Sequence, residues 1–194
     1  MRRLLDRDPS LATTPGPNGP PPLHAATTPQ VAELLLDHGA SLETVDSMGN
    51  SPLASAISRG EHASGVAALL LERGASTTPC GLAALGRTRQ LEELLDADGS
   101  ALCFVGNIGL NAVLATPLHA AVAADQEDTV RMLLERQADP NARADMGQTP
   151  LHLARSATIG QLLIDSGADP SAVDDEHETT PLTCPRRHRH PRRQ

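Results

Sequence analysis

Six phrases cut from one pattern pace this chain: PPLH (21–24), SPLA (51–54), TPCG (78–81), TPLH (116–119), TPLH (149–152) and TPLT (180–183). Their prolines, Pro22, Pro52, Pro79, Pro117, Pro150 and Pro181, are spaced by 30, 27, 38, 33 and 31 residues. A second phrase keeps the same beat: LLLDHGAS (34–41), LLLERGAS (69–76), LLDADGSA (94–101), LLERQADP (133–140) and LLIDSGAD (162–169). Two independent motifs in one phase mean stacked copies of a single supersecondary unit, none of which can bury its apolar face alone.

Each unit reads as two helices and a turn. In TPLH the threonine is a natural N-cap, and proline suits the first helical position, where its missing N–H costs nothing. A short helix runs through the LHAA-type segment. A second follows, with apolar residues at three-and-four spacing: Val31, Leu34, Leu35; Val66, Leu69, Leu70; Leu91, Leu94, Leu95; Val130, Leu133, Leu134; Ile159, Leu162, Leu163. Gly39, Gly74 and Gly167 stand where a left-handed C-terminal cap is needed, and Gln137 takes that place in the fourth unit. DSMGN (46–50) and DMGQ (145–148) carry turn chemistry. The first and fifth units lose three residues, which shortens the join between their helices, and the second gains two around GEHASG (60–65).

These phrases resemble the ankyrin repeat, whose signature is TPLHxAA, a second helix ending LLxxGAD, and a DxxGxTP hairpin. Residues 111–174 match best, and a looser likeness covers 16–185. The resemblance implies an all-α, ankyrin-type solenoid of stacked helix-turn-helix repeats with short β-hairpin loops. The division is then 1–15, a partly frayed remnant of a preceding repeat; 16–45, 46–72, 73–110, 111–143 and 144–174, repeats one to five; 175–185, an incomplete sixth; and 186–194, a disordered arginine-rich tail. Both ends look clipped, with fraying expected in roughly the first 20 and last 15 residues because solenoid ends need capping units. The irregular third repeat, with Cys80 and Gly81 in place of Leu and His, is the expected weak joint.

The resemblance also implies where a partner protein binds. Hairpin-tip positions are Ser47, Met48 and Asn50, and Asp145, Met146 and Gln148; inner-helix positions on the concave face are Ser58, Arg59, Ala123, Ala124, Ser156 and Ala157. Read from its own residues, the stretch LCFVGNIGLNAVLA adds about five residues to the third repeat and carries Phe104, Ile108 and Leu110. It is either an apolar finger offered to a partner or a flap folded back over the solenoid. His24, His119 and His152 recur at one repeat position, which favours a structural role over a metal or catalytic one. The cluster DDEHE (174–178) reads as a solvated turn rather than a cation site.

Composition narrows the function classes. There is one aromatic residue, Phe104, and no lysine; the net charge is −8. Cys80, Cys103 and Cys184 are odd in number and form no CxxC pair, so neither a zinc site nor a disulfide framework is indicated, and unpaired thiols suit a cytoplasmic protein. The opening residues lack the apolar core of a secretion signal. Residues 99–124 are uncharged, but Asn107, Asn111, Pro117, His119 and three glycines interrupt them, so no membrane span is expected. No GxSxG, HExxH, GxxxxGK[ST] or GxGxxG motif occurs, hence no enzyme and no cofactor. The expectation is a monomeric, non-catalytic protein-interaction module, an adaptor or regulator. Two alternatives stand beside it. The tail RRHRHPRR (186–193) beside a body of charge 11 − 24 = −13 would bind nucleic acid or an acidic surface, or the chain is an orphan fragment of a longer repeat protein.

Overall fold

Local capping starts the helices where the anchor phrases stand. The computed structural model describes residues 1–16, 19–47, 49–60, 64–103, 106–107, 114–176 and 178–183. Its helices are α1 (Arg2–Arg7), α2 (Pro29–Asp37), α3 (Pro52–Ser58), α4 (Ser64–Glu72), α5 (Pro79–Ala84), α6 (Thr88–Ala97), α7 (Pro117–Ala123), α8 (Glu127–Glu135), α9 (Pro150–Leu153) and α10 (Ala157–Asp165). Short 3-10 turns lie at Pro9–Ala12, Pro22–Ala25 and Gly99–Cys103. The strands β1 (Gly106–Asn107) and β2 (Leu114–Ala115) pair antiparallel, Gly106 opposite Ala115. Ser51 and Thr78 accept hydrogen bonds from the N–H groups of Ala54 and Gly81 at 3.2 and 3.1 Å, with Pro52 and Pro79 in the first helical position.

The turn at Pro22–Ala25 and α3, α5, α7 and α9 form an inner row; α2, α4, α6, α8 and α10 form an outer one. One apolar stripe per outer helix faces the core: Leu35, Val66, Leu70, Leu91, Leu95, Val130, Leu133, Ile159 and Leu163 are all buried. The inner helices contribute Leu23, Leu53, Leu118 and Leu151, with small residues such as Ala56, Ala83 and Ala121 where helices come close. The predicted left-handed caps form at Gly39, Gly74 and Gly167, φ +90°, +90° and +93°. Gln137 adopts the same conformation, φ +66°, so the fourth outer helix ends in the same way despite its side chain.

The three residues missing from the first and fifth units come out of the inner helix, not the join. That helix has seven residues in α7 but four in α9 and in the turn at Pro22–Ala25. Ala26 and Ala154 then turn extended, ψ 125° and 127°, and Thr28 and Ser156 cap the outer helices that follow. In the N-terminal segment residues 2–12 form α1 and a 3-10 turn, with Leu5 and Ala12 buried in the solenoid and Asp6 meeting His38 Nε2 at 3.1 Å.

Cations at the ends of outer helices reach back to acids on the preceding outer helix. Arg73 pairs with Glu33 and Asp37, Arg136 with Glu92 and Asp96, and His38 with Asp6. All lie near solvent, where such pairs set register more than stability.

The core divides. One buried cluster runs from Leu5 to Ala75, the other from Cys80 to Ala168. The break coincides with a shortened connection, five residues from Gly74 to Pro79 against thirteen from Gln137 to Pro150, so the hairpin found at other boundaries is missing there. The break in the core thus lies at the entry to the third repeat, on the N-terminal side of Cys80 and Gly81.

Candidate functional site

Hairpins project along one edge of the solenoid, each closed by a backbone bond: Asp46 N–H to Asn50 O (3.0 Å), Ala144 N–H to Gln148 O (2.9 Å) and Asp174 N–H to Thr179 O (3.0 Å). The residue that ends each hairpin is gripped from the preceding repeat. His24 Nε2 bonds Asn50 O at 2.9 Å, His119 Nε2 bonds Gln148 O at 3.0 Å, and His152 Nε2 bonds Thr179 O at 3.1 Å. In the last two, Nδ1 accepts the backbone N–H of Thr116 (3.3 Å) or Thr149 (3.1 Å), which leaves Nε2 as the protonated donor. In the third repeat, where glycine replaces the histidine, the buried Cys80 thiol donates to Ala115 O at 3.2 Å, the corresponding carbonyl. A Cβ at Gly81 would meet Thr77 Oγ1, so a larger residue there requires that hydroxyl to move. His119 is fully buried; burial lowers its pKa below the ordinary 6.5, against the smaller opposing pull of its bond to Gln148.

The histidines thus hold the hairpins in register, and Asn50 and Gln148, both half-buried, contribute their backbone to that grip. Among the described tip residues Ser47, Gly49 and Asp145 are exposed, and Met146 is half-buried. The last two of these hairpins, closed by Ala144–Gln148 and Asp174–Thr179, are fastened together. Met146 O accepts Asp175 N–H at 3.0 Å, and Arg143 Nη2 donates to Val173 O (3.1 Å) and Asp175 Oδ1 (2.6 Å). Gly147, φ +67°, leaves room for this: a side chain there would meet the Asp175 carboxylate and the Arg143 guanidinium. Asp174 is buried and accepts the Thr179 hydroxyl at 2.6 Å. Two carboxylates of the 174–178 cluster are thus committed to the hairpin; His177 lies outside the described residues. Among the described residues, no group of three or more His, Cys, Asp or Glu side chains is arranged to hold a metal.

At the ends of inner helices Ser58 and Ala124 are exposed and Arg59 is half-buried, whereas Ala157, expected on an inner helix, is instead the exposed first residue of the outer helix α10 because the inner helix α9 stops at Leu153. Ser156 is half-buried and occupied as a cap, accepting Ile159 N–H at 3.1 Å. Ala123 corrects the expectation of exposure: it is 7% exposed, because α7 is flanked by α5 and α9 and its last turn is covered. Met48, Phe104, Ile108 and Leu110 lie outside the described residues; the backbone brackets the insert with β1 and β2. Sequence reasoning missed Arg143, Val173 and Asp175. The available signal was positional, since Val45, Arg143 and Val173 all stand just before a hairpin, and Val45 and Val173 are 60% and 42% exposed.

The family model for ankyrin repeats (3 copies) matches residues 82–174 and 118–190, together more than half of the chain. The chain belongs to the ankyrin repeat family. Ankyrin repeats are in general protein–protein interaction modules. Within the family, 64 residues are 52% identical to neurogenic locus notch homolog protein 1 of Danio rerio, over 31% of this chain and 3% of that protein. A 61-residue segment is 43% identical to the transient receptor potential channel pyrexia of Drosophila melanogaster, over 30% of this chain and 6% of the channel. Cyclin-dependent kinase 4 inhibitor B of Rattus norvegicus is 41% identical over 76 residues, 38% of this chain and 55% of the inhibitor. The chain thus spans from a few per cent to about half of these relatives. The crystal structure of the human ASB11 ankyrin repeat domain superposes with a TM-score of 0.57 at 24% identity, covering 94% of this chain and 84% of that one. The ankyrin architecture accordingly extends well beyond the best-matching units. Among the described residues, no helix is long and apolar enough to cross a membrane.

Proposed function

We propose that this ankyrin protein is a non-catalytic adaptor or regulator that holds a partner protein against its hairpin edge and inner face. The observation that carries the reading is the fastened pair of hairpins at residues 143–148 and 173–179. Backbone and side-chain bonds lock them to each other and, through His119 and His152, to the solenoid, while Asp145, Val173 and Asp175 face solvent. A surface fixed in advance loses little conformational entropy on binding, which suits recognition by contact rather than by folding. The pattern does not name the partner, because one scaffold serves unrelated ones.

The experiment is a pull-down from lysate with three full-length baits: the native chain, Asp145→Ala/Met146→Ala, and a tail variant with Arg186, Arg187, Arg189, Arg192 and Arg193 changed to Gln. A protein kept by the native chain and the tail variant at high salt, and lost from the hairpin variant, supports the reading. Material that only the intact tail retains, and that nuclease or salt removes, overturns it in favour of the arginine tail.

A further inference from the structure

We propose that the inner edge at the joint between the second and third repeats binds an acidic peptide segment through Arg59 and Arg87. The inference rests on the protein-binding reading above and names the chemistry of the partner. The arginines of the chain divide by position. Those on outer helices and hairpins are neutralised in place: Arg73 by Glu33 and Asp37, Arg89 by Glu93, Arg131 by Glu127, Arg136 by Glu92 and Asp96, Arg143 by Asp175. Arg2, Arg3, Arg7 and Arg155 have no ion pair either but are exposed, whereas Arg59 and Arg87 are half-buried on the inner side, and among the described residues no acid pairs with either.

Arg59 closes α3, and Arg87 follows α5 and opens α6. Since α3 and α5 are neighbouring inner helices, the two residues stand at equivalent ends on one edge. Arg59 Nε and Nη2 are buried and meet no acceptor. Burial disfavours its charged form, so a guanidinium has been partly desolvated without compensation. The same edge holds the start of α6, which has no side-chain cap and no acid in its first turn, so its dipole adds to the positive potential. In the fourth repeat Ala124 and Gln126 take the places of Arg59 and Arg87, so the pair of cations is not repeated there. With 24 acidic residues against 16 arginines, the net field of the chain repels anions, so an acidic segment would be held by the local charge of this edge alone.

Spacing narrows the ligand further. Neighbouring helices pack about 8–10 Å apart. A polyproline II segment presents the same face every three residues, about 9 Å along its axis. Carboxylates three residues apart on such a segment would meet both arginines and tie the second repeat to the third across the gap in the core.

Fluorescence anisotropy with labelled (Glu-Pro-Pro)4 and (Gln-Pro-Pro)4 tests this on the full chain at two salt concentrations. The variants are Arg59→Gln/Arg87→Gln, an outer-face control Arg89→Gln/Arg131→Gln, and the tail variant above. The expected result is binding of the Glu peptide alone, weakened at least tenfold in the inner-edge variant and less than twofold in both controls. The inner-edge variant should melt no lower than the native chain, since it removes an uncompensated charge, and bound peptide should slow amide exchange around residues 75–80 of the native protein. No binding, equal binding by the inner-edge variant, or loss only in the tail variant overturns the proposal. A lysate partner still retained by the inner-edge variant, with no peptide bound, sinks this site and leaves the protein-binding reading standing. Peptide binding with no retained protein does the reverse.

Discussion

His24 shows what one residue of context decides. In the fourth and fifth repeats, threonine at the anchor supplies an N–H and a hydroxyl to the histidine Nδ1. In the first repeat that position is Pro21, which has neither, and His24 Nδ1 is buried without a hydrogen-bond partner. Pro21→Thr is expected to stabilise the protein by about 1 kcal/mol, the regained bond less the rigidity that proline lent the chain, and an unchanged melting midpoint counts against it. Gln137 offers the opposite repair. Its backbone is left-handed, so Gln137→Gly should also gain about 1 kcal/mol, read as a rise in the urea midpoint with an unaltered slope. His119 sets a pH dependence. Its folded pKa lies below 6.5, so the unfolded chain takes up a proton that the folded chain refuses, and stability is full above about pH 6.5 and falls as pH drops below it. Urea midpoints measured at pH 7.5, 6.0 and 5.0 should decline in that order, and the decline should shrink in His119→Asn.

At the scale of the element, the outer helices carry the core and the inner helices carry the register. Leu133 is fully buried in α8, and Leu133→Ala is expected to cost roughly 3 kcal/mol through lost transfer energy and a residual cavity. Thermal or urea melting checks it, and a change below 1 kcal/mol would mean that the stripe on α8 faces elsewhere. The inner helices tolerate large changes in length, from seven residues to four, because their task is to deliver a side chain to the next carbonyl. Cys80 makes the point: standing one position before the missing histidine, it bonds the corresponding carbonyl, Ala115 O, in its place.

At the scale of the whole molecule, the described residues bury two apolar clusters, one on each side of a short connection. Stability in such an array is approximately a sum of unit and interface terms, so a poor interface separates its neighbours. The joint between the second and third repeats lacks a hairpin, and Ala54 stands where a histidine would reach across. Native-state hydrogen exchange should therefore resolve two opening units, with core amides of residues 5–75 exchanging through a cheaper opening than those of residues 80–168. A single opening free energy for all core amides would show the joint to be as firm as the rest.

The repeat, the helix pairs, their caps and the identity of the buried stripe were legible in the sequence, because each depends on residues within one turn of a helix and recurs in phase. Gly39 and Leu133 could be read in that way. The candidate surface was legible only as a set of positions. Whether Ala123 is covered depends on the helices beside it; whether Arg143 meets Asp175 depends on two hairpins 32 residues apart being brought side by side. The break in the core, the rescue of a lost histidine by Cys80 and the two half-buried arginines without counter-ions among the described residues all belong to contacts between repeats. Local pattern determines a unit; only stacking decides what each unit leaves uncovered and uncompensated.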